Sequence, residues 1–186
     1  MNLLKELEVY QPFNEQEEKD KEFMIQFLKT YDNAFQRENK IAHVTSSAWV
    51  VNPSRTKVLM AYHNLYDSWA WLGGHNDGCE DCLKVALKEV KEESGVQDVK
   101  EVFSSIYSIE VLTVDGHVKK GNYVSSHLHL NVTYLLEADD RQDIFNKEDE
   151  NSAVGWFDLD KAIAASSEPW FQEHIYKKLN EKLKKI

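Results

Sequence analysis

Ahead of residue 40, apolar side chains recur at helical spacing. Met24, Phe27, Leu28, Tyr31 and Phe35 stand at i, i+3, i+4, i+7 and i+11, on one helix face. Asn14 with Glu17, just after Pro12, has the form of a capping box and predicts where that helix starts. From Ile41 the period changes to two. Val44, Ser46, Ala48 and Val50 alternate with Thr45, Ser47, Trp49 and Val51. Asn52-Pro53-Ser54 then makes a turn, and Val58 to Tyr62 reads as a second strand. Val111 to Val114 runs into Asp115-Gly116, a hairpin signal. Tyr123 to Leu136 follows as one long strand. Val124, Leu128, Leu130, Val132, Tyr134 and Leu136 fall on one face, and Ser125, His127, His129, Asn131 and Thr133 on the other. Glu80 to Ser94 reads as a helix closed by Gly95. A short helix is expected from about Asp158. A C-terminal helix should start at Ser167-Glu168-Pro169, with an apolar stripe of Phe171, Ile175, Leu179 and Leu183. Strands interrupted by helices, with antiparallel hairpins, predict an α+β fold: a mixed sheet with helices on its faces. Residues 1–40 form a helical extension and 41–186 the main domain.

Composition narrows the partners. The 186 residues carry 22 Lys+Arg against 32 Asp+Glu, a formal net charge of −10. That balance argues against nucleic acid as a partner, because neutralising a phosphate backbone needs surplus cations. A small phosphorylated ligand stays open, since one bound cation can offset its charge. No apolar run approaches the ~18–20 residues of a membrane span, so no membrane partner is expected. The start of the chain has no signal-peptide pattern. Two cysteines are too few for a disulfide scaffold, which suits a reducing, cytoplasmic setting.

The chemistry concentrates in Gly73 to Val96. On a helical wheel, Leu83, Ala86, Leu87 and Val90 share an arc that can pack on a sheet, while Glu89, Glu92 and Glu93 share another. A cation relieves the repulsion of three crowded carboxylates. Ligands of oxygen alone suit Mg²⁺ or Mn²⁺. The alternative is a solvated acidic helix face, the usual reading of a charge run.

The offsets within this segment resemble the Nudix box, Gly-x5-Glu-x7-Arg-Glu-U-x-Glu-Glu-x-Gly-U, where U is a bulky aliphatic residue. Gly74, Glu80, Glu89, Val90, Glu92, Glu93, Gly95 and Val96 match, and Lys88 replaces the arginine. Trp69 and Trp71 ahead of the glycines, and Val154 to Asp160 behind, extend the resemblance over roughly residues 41–165. It implies an α/β/α sandwich, with an N-terminal extension and a C-terminal helix added. It also implies hydrolysis of the pyrophosphate in a nucleoside diphosphate linked to another group, a small nucleotide-type substrate. By the same resemblance Glu89, Glu92 and Glu93, with Lys88 beside them, carry catalysis. Glu89, Glu92, Glu93 and the Gly73 carbonyl hold the metal. An acidic residue beyond the box completes that site in the family, here Glu150 in preference to Glu148. Glu80, Gly74 and Gly95 support the motif. Lysine lacks the planar fork of arginine, so looser orientation of Glu89 or its neighbours is expected.

Three signals outside the box have competing readings. His127 and His129 either pack within the sheet layers or contact substrate in a cleft. A polar inner face is costly to bury unless it lines a pocket. Trp49, Trp69 and Trp71 could stack a base or fill the core, and Trp69 is the preferred substrate contact. Cys79-Glu80-Asp81-Cys82 is a lone CxxC without further ligands, read as non-functional. Two other functions stay in view: a sensor on the same fold without turnover, and an isomerase using Cys79 or Cys82. The apolar stripe of the extension must also be covered, either by the rest of the chain or across a homodimer, a form common in the resembling family.

Overall fold

The computed structural model describes residues 2–119, 121–146 and 151–186. Its centre is β1 (Ala42–Val51), whose ten residues are all buried. Alternation sends its two sets of side chains into different cores. Ala42, Val44, Ala48 and Val50 join one cluster with Met24, Phe27, Ala86 and Val90. Trp49 and Val51 join another with Ile175, Tyr176 and Leu179. Helices therefore cover both faces of a mixed sheet, the α+β arrangement that strands interrupted by helices predict and the sandwich that the resemblance implies.

In the sheet, β10 (Asn151–Asp158), β2 (Lys57–His63), β1, β9 (His127–Ala138) and β5 (Val99–Glu101) lie in that order. β1 and β9 run parallel, with His43 opposite His129 and Ser47 opposite Thr133. β1 pairs with β2 through Val50 and Val51. Farther toward its start its partner is β4 (Leu72–His75), from Ala48 opposite Leu72 to Thr45 opposite His75. β3 (Ser68–Ala70) pairs instead with β2. Because β1 exchanges one partner for another, the sheet splays there, and the splay opens a cleft.

The hairpin differs from the sequence expectation. β6 (Ser108–Val114) pairs with β9, but Asp115-Gly116 is not the turn between them. The chain first makes a small hairpin of β7 (His117–Lys119) and β8 (Asn122–Val124). The strand expected from Tyr123 to Leu136 is thus two strands, interrupted at Ser125-Ser126, where Ser126 Oγ accepts the Gly116 N–H at 3.0 Å.

The extension is two helices rather than one: α1 (Leu3–Val9) and α2 (Glu15–Thr30), separated around Pro12. Asn14 caps α2 by accepting the Glu17 N–H. Beyond Thr30 successive turns replace the helix, so Phe35 packs from a loop. The apolar stripe lies against the chain's own sheet. Glu17, fully buried, crosses to the C-terminal helix. That helix starts as α5 (Pro169–Phe171), passes through a π-helical turn (Gln172–Tyr176) and ends as α6 (Lys177–Leu183). Lys178 and Lys182 reach Glu17 Oε1 at 3.3 and 2.8 Å. Between these, α3 (Cys82–Ser94) packs on the sheet and α4 (Leu159–Ala165) follows β10. Among the described residues no helix is long and apolar enough to cross a membrane.

Candidate active site

Helix α3 is placed by its ends. Asp81 caps it by accepting the Lys84 N–H, and Gly95 closes it in the left-handed region at φ 73°. Cys82, Ala86 and Val90 anchor it to the core. The adjoining edge of the same face turns Glu89, Glu92 and Glu93 toward the splay, where they line a cleft of about 310 Å³ with Gly73, Gly74 and Lys88.

Each carboxylate is held differently. Glu93 is only 5% exposed. Its Oε2 accepts the Gly73 N–H at 2.9 Å and its Oε1 accepts Asn151 Nδ2 at 3.1 Å. Asn151 was not anticipated, although it begins β10 next to the favoured Glu150. Its Oδ1 is buried without a hydrogen bond among the described residues. Glu148 and Glu150 themselves lie outside the described residues. Glu89 folds against Gly74, and Glu92 is the most open of the three. Lys88 Nζ stands 3.0 Å from both Glu89 and Glu92, and its hydrogen bonds to Glu92 and then Glu89 raise its pKa. The lysine in the arginine position thus still bridges two box carboxylates. Three carboxylates and an unpartnered amide oxygen in one cleft form a hard oxygen set that fits a small divalent cation.

The two glycines are required for different reasons. A Cβ on Gly73 would lie 2.7 Å from Ser46 O and Ser47 Cα, both backbone atoms of β1. A Cβ on Gly74 would meet the Glu89 carboxyl carbon at 2.7 Å, the movable end of a side chain. Gly73→Ala should therefore destabilise the fold by ~1–3 kcal/mol, as overpacking does. Gly74→Ala should leave the denaturation midpoint nearly unchanged while turnover falls, because only Glu89 has to move. Equal stability losses in the two variants would contradict this.

Thr45 and Ser47 donate to Asn131 Oδ1 at 3.1 and 2.7 Å. Asn131 Nδ2 donates to the buried Glu110, which also pairs with Lys178 at 3.0 Å. Arg37, ion-paired with Asp77, and Lys119 supply positive charge to the cleft. Tyr66, Trp71 and Phe171 give it aromatic surface.

The expected substrate contacts divide. His129 lines the cleft, while His127 stands beside it with its Nε2 3.3 Å from that of His129. Trp69 packs edge-on against Tyr62 and Phe157 and is not among the lining residues; Trp71 is. Trp49 is core, stacked on Tyr176. Glu80 is exposed on a different groove, beside Tyr10 and Asp81. His43 and His75 join His129, and burial pushes all three imidazole pKa values down, to about 3 for His75 and about 2 for His129. Neutral rings are the consequence at physiological pH.

Both cysteines are free thiols. Cys82 is buried beneath α3 against Asn76, and burial raises its pKa to about 11. Neither cysteine lines the cleft. Cys79→Ser combined with Cys82→Ser should leave turnover within about twofold of wild type, since changes away from a site have small effects. Loss of activity in the double variant would restore the isomerase or redox readings.

Comparison with known proteins gives the family and the fold. An RNA pyrophosphohydrolase from Pelagibacter ubique (strain HTCC1062) is 29% identical over 126 residues, covering 66% of this chain and 78% of the relative. The E. coli dihydroneopterin triphosphate pyrophosphohydrolase superposes with a TM-score of 0.56 at 17% identity, over 77% of this chain and 96% of that one. A C. elegans Ap4A hydrolase superposes at 0.54 and 16% identity, over 77% and 98%. These two structures share the fold. The NUDIX domain family model matches residues 41–179, and the chain belongs to that family of pyrophosphohydrolases.

Proposed function

We propose that this chain uses Mg²⁺ or Mn²⁺ to hydrolyse a pyrophosphate bond in a small nucleotide, a nucleoside diphosphate linked to another group. The observation that carries the reading is the convergence of Glu89, Glu92 and Glu93 on one cleft beside the glycine pair. Glu89, Glu92, Glu93 and the Gly73 carbonyl would hold the metal, with Glu150 as the further acidic ligand. Such an ion supplies Lewis-acid polarisation of phosphoryl oxygens and lowers the pKa of a bound water. Arg37 and Lys119 are placed to bind the remaining phosphate charge, and a box glutamate accepts the proton of the attacking water. Trp71, with Tyr66 and Phe171, offers the aromatic surface on which a base can stack.

The Pelagibacter relative acts on RNA by its name. Here the net charge of −10 disfavours a long phosphate backbone, so a small nucleotide is the preferred substrate. A homodimer is compatible with this reading and no part of it requires one. The test is a screen of nucleotide sugars, dinucleoside polyphosphates, NADH, nucleoside triphosphates and coenzyme A, with a 5′-triphosphorylated RNA alongside. Mg²⁺- or Mn²⁺-dependent release of phosphate or a nucleoside monophosphate is expected from at least one small substrate. Hydrolysis of the RNA alone would overturn the substrate class. Binding without turnover would favour the sensor reading.

A further inference from the structure

Four histidines from three strands meet at one end of the cleft. His43 begins the polar side of β1, His129 lies opposite it on the parallel β9, and His75 ends β4 two positions along the same side. His127 is the neighbour of His129 on that side of β9. Ring centroids of His43 lie 5.1, 4.9 and 4.9 Å from those of His75, His127 and His129. Nitrogen atoms of His43, His75 and His129 all fall within 4.8 Å of one another.

The lone pairs are oriented. His43 Nδ1 is 3.1 Å from the Asn39 carbonyl, which can only accept, so the proton sits on Nδ1 and Nε2 carries the lone pair. That Nε2 is buried without a hydrogen-bond partner among the described residues, in a side chain 4% exposed. His127 repeats the arrangement: its Nδ1 donates to the Ser125 carbonyl at 2.9 Å and its Nε2 faces His129 Nε2. A histidine whose far nitrogen donates to a carbonyl is the usual posture of a metal ligand. Zinc–nitrogen bonds of ~2.0–2.1 Å at a tetrahedral angle set two ligand atoms about 3.3–3.4 Å apart. The His127–His129 separation of 3.3 Å, a hydrogen bond that His127 Nε2 accepts while no ion is present, is close to that edge.

We propose that His43, His75 and His129, with His127 beside them, form a second metal site, distinct from the box carboxylates, that takes a divalent transition metal of the zinc type. Imidazole nitrogen selects Zn²⁺, Fe²⁺ or Co²⁺, whereas the oxygen-only box selects Mg²⁺ or Mn²⁺. The bound ion ties β1, β4 and β9 together at the open end of the sheet. It also puts a second positive charge at the end of the cleft that Arg37 and Asp77 flank.

The inference does not rest on the proposed hydrolysis, because binding is read without nucleotide. Wild-type protein is loaded with one equivalent of Co²⁺, then separately Zn²⁺, and desalted. Co²⁺ should give the intense visible bands of a four-coordinate ion, and X-ray absorption of the Zn²⁺ form should show a nitrogen first shell. Zinc at a hundredfold excess over Kd should raise the melting temperature by about 5–10 °C. His43→Gln with His129→Gln should abolish the bands, whereas Glu92→Gln should retain them. Metal lost on desalting, an oxygen-dominated shell, or bands that persist in the double histidine variant would overturn the site. Should that variant fail to fold, the absorption measurement on wild type still decides.

Discussion

Glu93→Gln is expected to lower turnover by ~10²-fold or more, the scale of losing metal or general-base help, with the fold intact. The carboxylate sits in a polar cradle that tolerates the exchange. One amide oxygen can keep the Gly73 N–H. The new amino group needs an acceptor, and rotation of Asn151 would present its otherwise unpartnered Oδ1. Glu92→Gln should behave similarly, since it removes an open carboxylate and leaves Lys88 paired with Glu89. The measurement is turnover at saturating substrate across a Mg²⁺ titration, with circular dichroism as the control on folding. Activity like wild type in both variants would remove these residues from the machinery.

Glu17→Ala should be the most destabilising of the single changes considered. Its carboxylate is fully buried and takes Lys178, Lys182, Tyr10 Oη and the Phe13 N–H. Lys178 is itself 3% exposed. Removing one partner of a buried ionic cluster leaves charge unpaired and costs ~3–5 kcal/mol. For a chain of this size each kcal/mol moves the melting temperature by about 2–4 °C. An unchanged transition would mean that the ammonium groups find other partners. Burial raises the Glu17 pKa, but Lys178 and Lys182 outweigh burial and hold it below its ordinary value. Its contribution is therefore full above the unfolded-chain value of ~4.3, and is lost as pH falls through the lower folded value. Wild type should lose more stability than Glu17→Ala across that acidic window.

The Glu17 cluster also marks where sequence reading stops. Asn14 and Glu17 were legible as a helix start, because capping is local. That Glu17 crosses to the C-terminal helix depends on a contact between residues 165 positions apart, which no periodicity encodes. The box was legible for the opposite reason: Gly74, Glu89, Glu92 and Glu93 reach the cleft through one helix and its preceding loop. Alternation in β9 placed His127 and His129 on the polar side correctly. It could not supply His43 and His75, because the register of β1 against β9 and β4 is a tertiary fact. Tryptophans near the box gave no way to separate Trp71, in the cleft, from Trp69, packed on Phe157. Only the pairing of β3 with β2 and of β4 with β1 does so.

The meeting of Glu17 with Lys178 and Lys182 bears on the order of events during synthesis. A ribosome releases α2 long before α6, and until then Lys178 and Lys182 are not there to face Glu17 and Glu110. Burying two charged carboxylates without counter-charge is costly, so α2 is expected to dock on β6 in its final form only after Lys178 and Lys182 have emerged. The parallel β1–β9 pair imposes a similar wait, since long-range pairing must close a large loop first. Nascent chains should therefore expose Met24 and Phe27 until Lys178 and Lys182 emerge, and a ribosome stalled ahead of Lys178 should hold a protease-sensitive α2.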